Sequence, residues 1–171
     1  MTKKKPTPEE IILSTTEIIR YIREMSGGNI ILEKHRRGLI DKMIWYRTEA
    51  KGKYKTTYQS ERAIEKKKEL KKAGENNSKN IAKYLRHDHV HMREVLINEL
   101  LDKNNDLDLI LAKAIGCTIT KEEHSALPHK KCDGWPRYEK ARIRVFNTDT
   151  GKWNDYKDFV QSDKKNLNGI L

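Results

Sequence analysis

Three of the six histidines of this chain lie within six residues, in the segment RHDHVH at positions 86–91. Alternate side chains of an extended strand share a face, so we expect His87, His89 and His91 on one side and Asp88 on the other. Imidazole exchanges protons near neutral pH, and imidazole and carboxylate groups together bind metal ions. The segment is therefore the first candidate for a catalytic or metal site.

A second segment with suitable chemistry is CTITKEEH, at positions 117–124. Cys117–Ile119 is typical of a short strand, and Thr120 with Glu123 has the spacing of a capping box, which predicts a helix start. This helix would present His124 from its first turn. A histidine there could complete a site that the first segment begins.

This order of strand, strand and helix resembles the HNH (ββα-metal) nuclease family. The matching segments are DHV at 88–90, CTIT at 117–120 and EEH at 122–124. The resemblance implies that Asp88 and His124 bind one divalent ion, Mg²⁺ or Mn²⁺, with Glu123 as a further candidate ligand. It also implies that His89 is the general base of a phosphodiester cleavage. Met92 stands where a proline often follows in the family, and no obvious asparagine orients the histidine.

Two other interpretations of these residues remain open. Cys117, His124, His129 and Cys132 have the ligand types of a structural Zn²⁺ site, although their spacing is not that of a standard zinc finger. Alternatively, the histidines are ordinary polar residues and Cys117 is a small buried hydrophobe.

The charge of the chain is distributed unevenly. It has 36 Lys and Arg against 25 Asp and Glu, a formal net charge of +11. Residues 1–86 hold 22 basic and 11 acidic residues, whereas residues 87–171 hold 14 of each. Such asymmetry favours a polyanion as partner, because phosphate contacts give affinity through counterion release. We therefore expect a nucleic-acid partner, DNA more than RNA, and no membrane partner, since no basic helix has a broad apolar face.

Candidates for nucleic-acid contact lie in the basic half. Two arginines begin a predicted helix, lysines and tyrosines alternate near residue 55, and five lysines crowd the predicted helix at 60–73. They are Arg36, Arg37, Lys51, Lys53, Tyr54, Lys55, Tyr58, Lys66, Lys67, Lys68, Lys71 and Lys72.

Periodicity and capping signals predict an α+β fold, with a mostly helical basic N-terminal part, a small ββα-like module and a C-terminal β-hairpin. Thr7 with Glu10 begins the first helix and glycines at 27–28 end it, and further helices are expected at 37–50, 60–73 and 78–85. Two more follow the histidine segment. A strand at 143–146, a turn at 147–151 and a return over 152–156 form the hairpin. We divide the chain into a basic nucleic-acid-binding arm, 1–77, and a catalytic module, 78–171.

No apolar run approaches the length of a membrane span, the first residues lack the apolar core of a signal peptide, and two cysteines cannot form a disulfide framework. We expect a cytoplasmic protein, and the sequence leaves a homodimer open. The expected function is metal-dependent cleavage of nucleic acid. The alternatives are a non-enzymatic factor that binds nucleic acid or nucleoprotein, an inhibitor included, and a zinc-stabilised interaction module.

Overall fold

The structure, a computed structural model, describes residues 4–25, 32–128 and 132–154 and has an α+β fold. The helices of this described part are α1 (Pro8–Glu24), α2 (Glu33–Thr48), α3 (Glu61–Lys72), α4 (Ser78–Tyr84), α5 (Arg93–Leu101), α6 (Leu107–Ala112), α7 (Lys121–Ala126) and α8 (Pro136–Lys140). Its strands are β1 (Tyr58–Ser60), β2 (Leu85–His89), β3 (Gly116–Thr120), β4 (Val145–Asn147) and β5 (Lys152–Asn154).

The five strands form one mixed sheet in the order β2-β3-β1-β4-β5. Strands β1 and β3 are parallel, and the other neighbouring pairs are antiparallel. In the β2–β3 pair, Asp88 lies opposite Cys117 and His89 lies opposite Gly116. The histidine segment is thus at an edge of the sheet, where side chains of both faces can approach one cleft.

Two apolar clusters hold these elements together. The first joins α1, α2, α5 and α6 through residues such as Ile19, Ile44 and Leu100, which are fully buried. The second lies against the sheet, where the large side chains of Trp135 and Tyr138 from the α8 region are buried. Burying a large apolar side chain contributes roughly 1.5–3 kcal/mol, so both clusters fix the elements beside the histidine segment.

The predicted capping boxes at Thr7 and Thr120 are both confirmed. Each threonine side chain accepts from the backbone N–H three residues on, and the glutamate there accepts from the N–H of the threonine. The helix that Ser78 was predicted to cap begins one residue earlier than expected, because Asn77 rather than Ser78 is its N-cap. Helix α2 begins at Glu33, four residues before the predicted start.

Two features of the sheet differ from the prediction. Strand β2 ends at His89, and His91 lies beyond it with Nδ1 2.8 Å from Asp133, so the shared face of three histidines was wrong for His91. Strand β1, which was not predicted, lies at the centre of the sheet. The predicted glycine stop at 27–28 and the end of the hairpin at Tyr156 lie outside the described residues.

The predicted boundary at residue 77 does not divide the sheet. Strand β1 precedes it in the chain, yet pairs with β3 and β4, which follow it. Helix α2 likewise packs against α5. The basic first half and the histidine segment therefore share one sheet and one helical cluster. Within the described residues, no helix is long and apolar enough to cross a membrane.

Candidate functional site

Asp88 lies at the centre of a polar cluster that two helices and a strand assemble. Its Oδ2 accepts a hydrogen bond of 2.6 Å from the hydroxyl of Tyr138 and lies 3.5 Å from Nη1 of Arg137, both on α8. Its Oδ1 lies 3.6 Å from Nε2 of His124, on α7. The side chain of Asp88 is 7% exposed and that of His124 is 39% exposed. The two residues predicted to bind one metal ion are therefore neighbours.

The ionisation of Asp88 is set by opposing effects. Burial raises the pKa of its carboxyl group, whereas the charge of Arg137 and the hydrogen bond from Tyr138 lower it. Complete burial raises the pKa of Tyr138 well above its usual range, so its hydroxyl keeps its proton and donates it. Nη1 of Arg137 also donates to the carbonyls of His89 and Val90, at 2.9 and 3.1 Å. Arg137 thus holds both the carboxylate and the end of the strand that carries it.

His87 and His89 lie beside α2. Nε2 of each ring is within hydrogen-bond distance of the Thr48 hydroxyl, at 3.0 Å for His87 and 3.1 Å for His89. The indole of Trp45 packs against both rings, with centroids 5.6 and 5.1 Å away. Burial lowers the pKa of His87 to about 4 and, with the neighbouring positive charges, that of His89 to about 3. Both imidazoles are therefore neutral near pH 7.

A surface cleft of about 370 Å³ brings these groups together. It is open to both faces of β2, because that strand is at the edge of the sheet and ends there. It therefore contains the predicted base, the predicted ligand pair and two guanidinium groups. Its lining residues are Trp45, His87, Asp88, His89, Met92, Arg93, Glu94, His124 and Arg137.

Glu123, predicted as a further ligand, has a different position. Its Oε2 accepts from the Ser60 hydroxyl at 2.5 Å and from the backbone N–H of Thr120 at 2.8 Å. The residue is 6% exposed and is not part of the cleft lining. The carboxylate of Glu123 thus joins the start of α7 to the start of α3, which is a structural role.

The alternative zinc ligands are not assembled by the described residues. Cys117 is fully buried in the apolar cluster against the sheet, and burial raises the pKa of its thiol well above the usual range. Cys132 is half-buried, and His129 lies outside the described residues. Within residues 4–25, 32–128 and 132–154, no group of three or more His, Cys, Asp or Glu side chains is placed to hold a metal ion.

The structure separates the nucleic-acid candidates into exposed and engaged residues. Lys53, Lys55, Lys68, Lys71 and Lys72 are exposed, whereas Arg36 and Arg37 are half-buried. Others have partners: Lys51 is paired with Asp149, Lys66 with Glu69, and the Tyr58 ring packs on Trp135. The remaining two are Tyr54, beside Lys53, and Lys67.

Lys67 is the candidate that the structure removes most clearly from solvent. Its ammonium group donates to the carbonyl of Tyr54 and, at 2.7 Å, to Oε1 of Gln59. Burial lowers its pKa to about 8. The ammonium group of Lys67 thus joins α3 to the segment before β1. Its predicted phosphate contact stays a prediction.

Sequence reasoning did not assign to this site four residues of the cleft region: Thr48, Arg93, Arg137 and Tyr138. They reach the histidine segment from α2, α5 and α8. No local spacing marks them, because Arg137 and Tyr138 are 49 and 50 residues from Asp88 in the chain. A buried arginine and tyrosine on one short helix are detectable only once the fold is known.

Comparison of the chain with protein-family models, with curated proteins and with solved structures gave no match. The resemblance to HNH nucleases therefore stays a prediction from the sequence.

Proposed function

We propose that this chain is a metal-dependent nuclease that cleaves phosphodiester bonds, with DNA favoured over RNA. The observation that carries the proposal is the distance of 3.6 Å between Oδ1 of Asp88 and Nε2 of His124, beside a cleft that His89 also lines. Two ligand atoms at about 2.1 Å from one ion are about 3 to 4 Å apart, so this pair fits a divalent ion.

Asp88 and His124 would hold the ion, and a single carboxylate–imidazole pair leaves coordination positions for water and substrate. A bound divalent ion supplies positive charge that offsets the negative charge growing on the phosphate. In this proposal the ion supplies only positive charge, and His89 accepts the proton.

In the proposed reaction, His89 accepts a proton from water while the water oxygen forms a bond to phosphorus. The bond between phosphorus and the leaving oxygen breaks, and that oxygen takes a proton from solvent. His89 is neutral near pH 7, but its pKa of about 3 makes it a weak base in the absence of substrate. The negative charge of a bound phosphate would raise that pKa toward the range a general base needs. Arg93 and Arg137 line the same cleft, where Arg93 is paired with Asp41 at 2.7 Å and Arg137 donates to the carbonyls of His89 and Val90. Their guanidinium groups add positive charge to the cleft region.

The charge distribution supports a polyanionic substrate. The excess of basic residues lies in the first 86 residues, and these share a sheet with the cleft. Exposed Lys53, whose ammonium lies 5.6 Å from the Trp45 ring centroid, extends the positive charge of Arg93 along one wall of the cleft. Phosphates on either side of the reacting bond would meet cations there.

One observation favours a second candidate, a nucleic-acid-binding factor without catalytic activity. Oδ2 of Asp88 is taken by Tyr138 and Arg137, and both ring nitrogens of His87 have partners. These contacts are also those expected of groups that only stabilise the fold. If Asp88 and His87 have only that role, the protein binds DNA and does not cleave it.

The direct test is incubation of the purified protein with supercoiled plasmid in Mg²⁺, in Mn²⁺ and in EDTA. We expect nicked or linear product with metal and none with EDTA. Asp88→Asn, prepared identically, should lose cleavage and keep DNA binding, which excludes a contaminating nuclease. Binding without cleavage under every metal condition would contradict the proposal and favour the second candidate.

A further inference from the structure

A threonine hydroxyl lies between the two histidines of the cleft. Thr48, the last residue of α2, has its Oγ1 3.0 Å from Nε2 of His87 and 3.1 Å from Nε2 of His89. The two rings are 5.0 Å apart and meet edge to face. A hydroxyl has one proton to donate and two lone pairs, so it can join a ring that accepts to a ring that donates.

The direction of these hydrogen bonds follows from the far side of His87. Its Nδ1 lies 3.1 Å from the backbone carbonyl of Lys53, and a carbonyl only accepts, so Nδ1 bears the proton. His87 is 7% exposed, and its ring nitrogens contact a backbone carbonyl and a hydroxyl rather than a carboxylate, so its ring is neutral and its Nε2 accepts. Thr48 therefore donates to His87.

Once the hydroxyl proton is directed at His87, Oγ1 can only accept from His89. Nε2 of His89 must then bear the proton of its ring, and the lone pair is on Nδ1. Oγ1 of Thr48 is also 3.0 Å from the carbonyl of Trp45, an alternative acceptor for its single proton. Donation to that carbonyl would leave Oγ1 and the lone pair on Nε2 of His87 as two acceptors facing each other at 3.0 Å, which donation to His87 avoids. No hydrogen bond to Nδ1 of His89 forms within the described part of the chain.

We call the hydrogen-bonded series His87, Thr48 and His89 the relay. The backbone of the neighbouring strand leaves space for the His87 ring. A Cβ at Gly116, on β3, would lie 2.5 Å from Cε1 and 2.9 Å from Nε2 of His87, and 3.0 Å from the carbonyl of Thr48. Any side chain at this position would therefore displace the ring from Thr48. This glycine is an observation independent of the hydrogen-bond directions, and it supports a built arrangement.

We propose that Thr48 is a positioning residue, whose hydroxyl, oriented by His87, holds His89 with its proton on Nε2 and its lone pair on Nδ1. The inference rests on the proposed function, in which His89 takes a proton from water. It assigns that step to Nδ1 of His89. His87 cannot take the same role, since both of its nitrogens are occupied.

The test compares Thr48→Val, which removes the hydroxyl and keeps the shape, with Thr48→Ser, which keeps the hydroxyl. Imidazole ¹⁵N shifts of His89, measured by NMR at pH 7.5 in EDTA, report the protonated nitrogen without any cleavage assay. We expect protonated Nε2 in the parent and in Thr48→Ser, and a mixture of tautomers in Thr48→Val. Single-turnover cleavage should fall about 10- to 100-fold in Thr48→Val, with DNA affinity unchanged, and about 3-fold or less in Thr48→Ser.

The outcomes separate this inference from the proposed function. A proton on Nδ1 of His89 in the parent overturns the relay, whatever the activity, and so remains decisive if Thr48→Val does not fold. A changed tautomer with an unchanged cleavage rate overturns the positioning role. The expected tautomers in a parent protein that cleaves no nucleic acid would support the relay and contradict the nuclease.

Discussion

The Asp88 carboxylate is held on one side by groups of α8 and faces His124 on the other. Tyr138 donates to the oxygen that points away from His124, so the second oxygen keeps its direction toward the imidazole. Replacing a group that orients a metal-binding carboxylate in this way typically lowers metal affinity about 10- to 100-fold. The phenol of Tyr138 is therefore important for the geometry of the proposed metal site.

Replacing Tyr138 with phenylalanine tests this role. Tyr138→Phe removes one hydrogen bond from a buried carboxylate, which should lower the free energy of unfolding by about 1–3 kcal/mol. The Mg²⁺ concentration for half-maximal cleavage should rise about 10- to 100-fold. Denaturant unfolding measures the free energy of unfolding, and a metal titration of cleavage measures the Mg²⁺ dependence. Tyr46→Phe, at a tyrosine that is 48% exposed, is the control. An unchanged metal dependence in Tyr138→Phe would contradict the orienting role.

Sequence reasoning at this scale found Asp88, His89 and His124 because their types and spacing form local patterns. It did not find Thr48 or Tyr138, whose hydrogen bonds to the histidine segment span 41 and 50 residues. It also assigned Glu123 as a ligand on the basis of its type. The structure places that carboxylate in the cap of α7.

At the scale of elements, helix starts with a capping box were predictable from sequence, whereas the sheet was only partly so. The capping boxes of α1 and α7 combine two hydrogen bonds within four residues, so a local pattern identifies them. Strand β1 has three residues and basic neighbours, and its pairing with β3 and β4 involves residues 59 or more positions away. Nothing local indicates such a strand.

The cap of α7 gives a test that separates structure from metal binding. Glu123→Ala removes the acceptor of both Ser60 and the Thr120 N–H, so the free energy of unfolding should fall by about 1–3 kcal/mol. The metal dependence of cleavage by the folded protein should stay as in the parent. Glu122→Ala, at the neighbouring exposed residue, should leave stability nearly unchanged. Loss of metal activation in Glu123→Ala with unchanged stability would instead identify Glu123 as a ligand.

At the scale of the whole molecule, the excess positive charge and the cleft belong to one connected fold. The sequence predicted the asymmetry of charge, but it also predicted a separable basic arm. Strand β1 pairs with strands on the far side of that boundary, so the binding experiment requires the full chain.

Neutralising exposed lysines of α3 tests the nucleic-acid surface. The triple variant of Lys68, Lys71 and Lys72 to glutamine should weaken DNA binding on all sequences alike. It should also reduce the slope of log affinity against log salt by up to about 0.9 per lost phosphate contact. The matched control changes Lys103, Lys121 and Lys140, three exposed lysines of the neutral half, to glutamine. Equal losses in the two variants would contradict a binding surface on α3.

Global stability should depend on pH through the two buried histidines. The pKa values of His87 and His89 are about 4 and about 3 in the folded chain, against about 6.5 when unfolded. Below pH 6.5 the unfolded chain takes up protons that the folded chain does not. Stability is therefore full above that pH and falls on acidification, by up to about 1.4 kcal/mol per pH unit for each histidine.

Urea unfolding in EDTA between pH 7.5 and 5 measures this dependence. The slope of unfolding free energy against pH counts the protons taken up on unfolding. We expect His87→Gln to reduce this slope by the equivalent of about one proton, and His35→Gln, at an exposed histidine of α2, to leave it unchanged. Since the comparison concerns slopes, it holds even if His87→Gln is less stable at every pH. A slope in His87→Gln equal to that of the parent would contradict the burial of a neutral His87.

The central claim, that this chain cleaves phosphodiester bonds with His89 as general base, is tested most directly by the single-turnover rate of His89→Ala. With saturating protein and Mg²⁺ or Mn²⁺, the rate should fall about 10²- to 10⁴-fold, because both nitrogens of His87 are occupied and His124 is assigned to the metal ion. DNA affinity should match that of the parent and of His35→Ala. A His89→Ala protein that folds, binds DNA and cleaves it at the parental rate would contradict the claim.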